Sequence, residues 1–113
     1  MNGERTLSCM IRTEDGEICI DPATPVLHVM GKKYAIFILS VLGNDNTRKN
    51  FNDLLKAIPG ISSTMLSARL HEMVGAGLIE RHDGDIVTYE LTEMGREIRR
   101  RLLPLIEYLA NAV

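Results

Sequence analysis

Residues 62–71 concentrate the side chains of this chain that are best suited to non-covalent recognition. Hydroxyl groups and an imidazole can hydrogen-bond phosphates or base edges, and an arginine can bind guanine through two hydrogen bonds. An apolar stripe at helical spacing (Leu66, Leu70, Met73 and Val74) is expected to face inward. The positions that then face outward or flank that face are Ser63, Thr64, Met65, Ser67, Ala68, Arg69, His71, Glu72 and Gly75. Helix capping by the hydroxyls and simple solvation of Arg69 are the alternative interpretations.

Other chemistry finds little support in the residue spacing. The cysteines and the histidines have no spacing typical of zinc ligands. The stretch Asp83-Gly84-Asp85 begins like a calcium loop, but its twelfth position is Met94 instead of glutamate. No nucleophile elbow, zinc-protease motif or carboxylate pair stands out. We therefore expect no metal, no cofactor and no enzymatic activity.

Cys9 and Cys19 are too few for a disulfide framework. The sequence shows neither a signal peptide nor an apolar run of membrane-spanning length. This low cysteine content therefore indicates a reducing cytoplasm. Cys19 could sense oxidants if a helix N-terminus lowered its pKa, but Glu17 and Asp21 oppose a thiolate there. The favoured interpretation of Cys19 is therefore a small apolar residue in a strand.

Composition narrows the class of protein. A chain of 113 residues, 45% apolar and 25% charged, is typical of one globular domain spanning residues 1–113. Five aromatic residues without tryptophan argue against a stacking platform for single strands. The net charge of −2 excludes charge-driven coating of DNA, but residues 24–81 carry seven basic and four acidic side chains. Any nucleic-acid binding must therefore use a local positive patch.

The elements that would position these groups follow from periodicity and capping residues. Asp15-Gly16 predicts an N-terminal hairpin within residues 6–20, and Thr24-Pro25 begins a first helix. Asn50 caps a short helix, Ile58-Pro59-Gly60-Ile61 forms a turn, and Ser62 or Ser63 caps the next helix. A second tight hairpin surrounds Asp83-Gly84-Asp85, and Thr92 caps a last helix. The predicted helices span 32–42, 51–57, 62–76 and 92–113, and the second pair of strands spans 78–82 and 86–91.

These elements follow the order of a winged helix-turn-helix: a short helix, a glycine-containing turn, a second capped helix and then a tight hairpin. We therefore predict an α+β, mainly α, fold. Its winged-helix core spans residues 24–91, preceded by the hairpin and followed by the long C-terminal helix.

The same residues resemble the HxlR-type transcriptional regulators, relatives of the MarR group. The shared motifs are Gly31-Lys32-Lys33-Tyr34, Phe51-Asn52-Asp53-Leu54, Ile58-Pro59-Gly60-Ile61-Ser62, Met65-Leu66, Arg69-Leu70, Gly77-Leu78-Ile79-Glu80-Arg81 and Tyr89-Glu90-Leu91-Thr92-Glu93-Met94-Gly95. The resemblance implies a homodimeric, cytoplasmic regulator of transcription that places the 62–76 helix in the major groove of duplex DNA. The DNA contacts it implies for that helix are Ser62, Ser63, Thr64, Ser67, Ala68, Arg69 and His71.

The chain also departs from that family. Tyr34 replaces a usual tryptophan, Asp21-Pro22 stands where many members have a sensing Cys-Pro, and Ile86 occupies the place of a wing arginine. Aspartates at the wing tip would be repelled by the negative potential of a minor groove. Phosphate contacts are therefore expected from basic side chains on other elements, namely Lys32, Lys33, Arg48, Lys49 and Lys56.

The last helix carries more apolar length than a domain of this size can cover, which predicts a two-fold dimer. The predicted interface residues lie on the first and last helices: Val26, Leu27, Met30, Leu102, Leu105, Ile106, Leu109 and Val113. The alternative function is a winged-helix protein-interaction module with weak or no DNA binding, which the acidic wing tip favours. No motif identifies a small-molecule or redox effector.

Overall fold

The computed structural model describes residues 7–113 and has the predicted winged-helix order. The elements are β1 (Ser8–Thr13), β2 (Gly16–Ile20), α1 (Pro25–Met30), α2 (Ala35–Leu42), a 3-10 turn (Asn44–Asn46), β3 (Lys49–Asn50), α3 (Phe51–Ala57), α4 (Ser63–Gly75), β4 (Ile79–His82), β5 (Thr88–Leu91) and α5 (Glu93–Ala112). The predicted mixed fold, mainly helical with a long C-terminal helix, is confirmed. Within residues 7–113, even the 20-residue α5 lacks the apolar stretch that crossing a membrane requires.

One hydrophobic core joins the helices to the wing sheet. Helix α4 contributes Leu66, Leu70 and Met73, and each is almost completely buried. Val74, the fourth residue of the stripe expected to face inward, is instead 37% exposed, because it lies at the edge of the stripe and lines a surface cleft with Ser67 and His71. The remaining buried side chains with the largest volumes are Ile38, Leu39, Leu54, Leu78 and Ile79. Burial of this apolar stripe fixes which side of α4 is left for contacts outside the domain.

The helix-turn-helix is fixed by local hydrogen bonds. Asn50 and Asp53 form a reciprocal capping box at the start of α3, with N···O distances of 2.8 and 3.0 Å. Ser62, and not Ser63, caps α4, because its hydroxyl accepts a hydrogen bond from the Met65 amide at 3.1 Å. Gly60 takes a positive φ of 86° in the intervening turn, a conformation that favours glycine.

The second sheet contains a strand that the sequence does not predict. Lys49 and Asn50 form β3, which pairs antiparallel with β5 through Lys49↔Tyr89, so the sheet order is β3-β5-β4. The sequence predicts no strand between the helices over 32–42 and 51–57, because a two-residue strand carries no hydrophobic period. The wing strands are also shorter than predicted, and the tight hairpin is instead a loop over residues 83–87. Helix α2 begins at Ala35 instead of Lys32, since Tyr34 adopts a left-handed conformation with φ of 75°.

The N-terminal hairpin is present, with Gly16 at φ of 127° as the Asp-Gly signal requires; residue 6 of its predicted range lies outside the described residues. Cys9 and Cys19 form a disulfide across it, so the expectation of an unpaired apolar Cys19 is wrong. The pairing shifts between Ser8↔Ile20 and Ile11↔Ile18, which leaves Cys9 and Met10 opposite the single residue Cys19. This bulge brings the two sulfur atoms together, and strand propensity alone does not predict it.

Candidate nucleic-acid interface

The side of α4 opposite the core is open to solvent. Five of the predicted contact residues are exposed there: Ser63, Thr64, Ser67, Ala68 and His71. Gly75 is exposed as well, whereas Met65 and Glu72 are half-buried. Small and polar side chains on a helix fixed by its apolar face can approach another surface closely. This arrangement suits insertion into a groove of duplex DNA.

The N-terminus of α4 adds a place for an anion. The Ser62 hydroxyl satisfies the Met65 amide, while the first amides of the helix have no partner inside the helix. Such amides, with the partial positive charge of the helix dipole, bind phosphate readily. Ser62 therefore caps the N-terminus of α4, and its side chain is exposed at this end of the helix.

Arg69 does not point outward with the other predicted contacts. Its Nε donates to the Lys33 carbonyl at 2.9 Å, and its Nη1 donates to Glu72 Oε1 at 2.9 Å. Only 13% of its side chain is exposed. In this arrangement Arg69 joins α4 to the turn before α2, and its guanidinium is not presented to a base.

Glu72 connects this arginine to a second predicted contact. Its other carboxylate oxygen, Oε2, forms an ion pair with the Lys32 ammonium. The hydrogen bond from Lys32 holds the pKa of the Glu72 carboxyl below its ordinary value; desolvation opposes this effect, and the hydrogen bond from Arg69 adds to it. Lys32 and Arg69 are therefore both engaged within the protein.

The other basic residues fall into different environments. Lys33 is exposed, with its ammonium 5.1 Å from the centre of the Tyr34 ring. Arg48, Lys49 and Lys56 line one shallow groove beside α3. Lys49 donates to Thr47 Oγ1 at 2.7 Å and to the Asn44 carbonyl at 2.9 Å, so it fixes its own loop.

Of these three, Arg48 and Lys56 have exposed side chains. Arg48 Nε lies 3.4 Å from Glu90 Oε1, although half of the arginine side chain remains exposed. Arg48, Lys49 and Lys56 thus share the groove beside α3, whereas Lys32 and Lys33 lie in the turn between α1 and α2.

Arg81 is a basic residue near α4 that the sequence prediction missed. It lies on β4 and lines a cleft with Ser67 and His71 of α4. Its Nε is 3.1 Å from Asp83 Oδ1, so one of the two acidic side chains at the wing tip is already paired. Residues two apart in a strand point to the same face of the sheet. The expected burial of Ile79 could therefore have indicated that Arg81 lies on the inward face of β4.

The wing also holds three possible metal-ligating side chains that the sequence did not bring together. One ligand atom from each of Glu80, His82 and Glu90 lies within 4.8 Å of the others. Glu90 also lies 3.4 Å from a guanidinium nitrogen of Arg48 and from one of Arg96. Both arginines therefore pair with Glu90, whereas Glu80, which faces Glu90 across β4 and β5, lies 3.4 Å from the His82 imidazole. The same imidazole nitrogen is 2.6 Å from Glu90 Oε1, so His82 joins the two carboxylates.

The predicted interface residues for a dimer divide into two groups. Val26, Met30 and Leu102 pack partly against the core of their own domain. Leu105, Leu109 and Val113 are exposed, Leu105 at 50% and Leu109 at 53%. Together with Ile106 and Phe37, which is itself 55% exposed, they line a groove of about 540 Å³ between α2 and α5. Leu27, on α1, is 39% exposed.

Comparisons with known proteins agree with this architecture. Residues 29–113 match the family model of the HxlR-like helix-turn-helix. The chain is 37% identical over 94 residues to the uncharacterized HTH-type transcriptional regulator YdzF of Bacillus subtilis, covering 80% of this chain and 82% of that protein. It is 33% identical over 99 residues to the uncharacterized HTH-type transcriptional regulator sll1512 of Synechocystis, covering 81% of this chain and 68% of the relative.

A solved structure extends the similarity to the N-terminal hairpin. The crystal structure of a possible HxlR family transcriptional factor from Thermoplasma volcanium is 51% identical, with a TM-score of 0.86. The match covers 95% of this chain and 97% of that one, whereas the family model begins only at residue 29. The chain belongs to the HxlR-like helix-turn-helix family of DNA-binding transcriptional regulators.

Proposed function

We propose that this protein binds specific duplex DNA sequences as a homodimer, with α4 in the major groove. The observation that carries the proposal is the division of α4 into a buried apolar face and an exposed face of small and polar side chains. The residues proposed to contact base edges are Ser63, Thr64, Ser67, Ala68 and His71. Hydroxyl and imidazole groups form hydrogen bonds there, and the Ala68 methyl can contact a thymine methyl.

Phosphate contacts supply the sequence-independent part of the affinity. Lys33, Arg48 and Lys56 have exposed side chains that can move to a phosphate, and the α4 N-terminus at Ser62 offers amide donors. Arg81 is proposed as a further contact, since it borders the cleft beside Ser67 and His71. Lys32 and Lys49 are assigned a supporting role, because intramolecular partners already hold their ammonium groups.

The dimer is proposed from the unpaired apolar surface of α5. Leu105, Leu109 and Val113 are exposed next to Phe37, and contiguous apolar patches of this kind mark interaction sites. A second copy related by two-fold symmetry would cover both grooves at once. Such a dimer presents two α4 helices about 34 Å apart, one turn of DNA. The proposed location is the cytoplasm, which follows from this function alone. The cysteine content no longer supports it, because Cys9 and Cys19 form a disulfide and disulfides are rare in a reducing cytoplasm.

Selection of bound sequences from a random duplex pool tests the proposal. The expected result is an enriched palindromic site, since two-fold protein symmetry is mirrored in the operator. No duplex binding at low salt would contradict the proposal and favour the winged-helix protein-interaction module.

The salt dependence of binding tests the phosphate contacts separately. Lys33→Ala and Lys56→Ala should each weaken binding uniformly across sequences and reduce the salt slope by about 1. Arg12→Ala is the matched control, because it removes one positive charge from the N-terminal hairpin, where the side chain is 85% exposed. Equal effects of all three variants would mean that general charge, and not these positions, determines the affinity.

A further inference from the structure

The turn between α1 and α2 contacts the second half of the helix-turn-helix, namely α4 and the turn before it. The Tyr34 hydroxyl donates to the Gly60 carbonyl at 3.2 Å, in the turn that joins α3 to α4. One residue earlier, the Lys33 carbonyl accepts a hydrogen bond from Arg69 Nε at 2.9 Å, and Lys32 pairs with Glu72. Three consecutive residues therefore contact α4 or the turn that precedes it.

The backbone of this turn is held in an unfavourable conformation. Tyr34 has φ of 75° and ψ of −11°, in the left-handed region that aromatic residues rarely occupy. Such a conformation persists only where the surrounding contacts fix it. The hydrogen bonds to Gly60 and from Arg69 are contacts of that kind, so the turn has a defined position relative to α4.

The Glu72 carboxylate pairs with two cations, Lys32 and Arg69. Its Oε1 accepts from Arg69 at 2.9 Å and its Oε2 pairs with Lys32, so each oxygen has its own cation. All three side chains are largely withdrawn from solvent, with 29% of Glu72, 13% of Arg69 and 31% of Lys32 exposed. Without the carboxylate, the Lys32 ammonium would lose its partner and could turn toward a phosphate, and Arg69 would be held only by its hydrogen bond to the Lys33 carbonyl.

We propose that Glu72 is a positioning residue for sequence recognition, although its carboxylate contacts no base. It ties α4 to the α1–α2 turn through Lys32, and on its own helix it holds Arg69 so that Nε reaches the Lys33 carbonyl. These contacts add to the buried apolar face of α4 in fixing the rotation of the helix about its own axis. That rotation decides where Ser67 and His71 point in the groove, because both belong to the turns of helix beside Arg69 and Glu72. The same contacts keep Lys32 and Arg69 away from DNA phosphates. This inference rests on the proposed insertion of α4 into the major groove.

The test compares Glu72→Gln with Glu97→Gln. Glu97 is the matched control, since it also pairs with two cations, Arg100 and Arg101, but lies on α5. Both variants remove one negative charge, so a general charge effect is the same for each. For Glu72→Gln the ratio of affinities for the selected site and a scrambled duplex should fall about tenfold, the effect of losing one specific base contact. Glu97→Gln should leave that ratio unchanged, and equal ratios for the two variants would overturn the proposal.

A double-mutant cycle separates positioning from a direct contact by Arg69. If Glu72 and Arg69 act through one network, Arg69→Gln should lower the affinity ratio, and the double variant should lower it no further than either single one. Additive losses would instead assign independent roles to the two residues and contradict the proposal.

A measurement without DNA keeps this inference distinct from the proposed function. Amide hydrogen exchange in α4 should be faster in Glu72→Gln than in Glu97→Gln, at a temperature where both remain folded. Unchanged exchange in α4 would overturn the positioning role whatever the protein binds. A wild-type protein that fails to discriminate between duplexes would instead contradict the proposed function alone.

Discussion

A Cβ atom added to Gly95 would lie 2.1 Å from the carbonyl oxygen of Leu78. The first turn of α5 therefore lies directly against the chain that leads into β4. Thr92 reinforces this junction, since its amide donates to the same carbonyl at 3.1 Å and its hydroxyl caps the Gly95 amide at 3.0 Å. The wing and the C-terminal helix are held in one arrangement by contact between their backbones.

Gly95→Ala should lower the free energy of unfolding by roughly 2–3 kcal/mol, because the obstructing atom belongs to the backbone and cannot rotate away. Urea denaturation of the wild type and the variant measures this change. Gly75→Ala is the control, since a Cβ there meets no atom within 4 Å, and it should be neutral or stabilise by up to about 1 kcal/mol. Equal stability of Gly95→Ala and the wild type would mean that α5 can shift away from Leu78.

The charge network at Glu72 predicts a dependence of stability on pH. The hydrogen bond from Lys32 lowers the folded pKa of Glu72, so folding favours its ionised form. The resulting stabilisation is fully present above the unfolded pKa of about 4.3 and disappears as the pH falls through the lower folded pKa. The wild type should therefore exceed Glu72→Gln in stability at neutral pH, and the difference should shrink below about pH 4.

Thermal denaturation of both proteins across this range provides the measurement. Glu97→Gln should show the same direction of change, because hydrogen bonds from Arg100 and Arg101 lower the pKa of Glu97. High salt should remove the Glu97 effect more completely, since that carboxylate is more exposed than Glu72. A difference between the wild type and Glu72→Gln that stays constant with pH would contradict the role of the ionised carboxylate.

The features that the sequence predicted well are those decided by neighbouring residues. The caps at Asn50 and Thr92, the cap of α4 at Ser62 or Ser63, and the turn over residues 58–61 follow from side chains within four positions along the chain. The inward stripe of α4 follows from helical period alone, and its burial is confirmed for Leu66, Leu70 and Met73 but not for Val74. For the same reason the exposed positions of α4 could be named before the structure was known.

The features that it missed depend on residues far apart in the chain. Arg69 is turned inward by the Lys33 carbonyl, 36 residues earlier, and β3 exists only because Tyr89 and Thr88 lie beside it. The disulfide depends on a bulge in the pairing of β1 and β2, which no propensity predicts. The inward orientation of Arg69 therefore becomes visible only in the tertiary structure.

Reduction of the Cys9–Cys19 disulfide should loosen the hairpin without destabilising the winged-helix core. The described hairpin residues leave all their apolar side chains at least partly exposed, and the buried core begins at Val29. The rate of hydrogen exchange over residues 8–20 should therefore rise on reduction. The melting temperature of the winged-helix core should stay within about 2 °C of its value in the oxidised protein. Cys9→Ser is the control: it should match the reduced wild type and no longer respond to reductant. A large fall in the melting temperature on reduction would mean that the hairpin supports the core.

Leu105→Glu tests the dimer at the apolar groove between α2 and α5. Half of this side chain is exposed, so the charge should leave the fold intact while opposing burial against a second copy. Light scattering should show the mass of a dimer for the wild type and of a monomer for the variant, with affinity for the selected palindrome reduced at least about tenfold. Leu103→Glu is the matched control, because Leu103 is 39% exposed on the same helix but does not line the groove. A wild-type monomer at micromolar concentration, or equal dissociation of both variants, would contradict a dimer built on this groove.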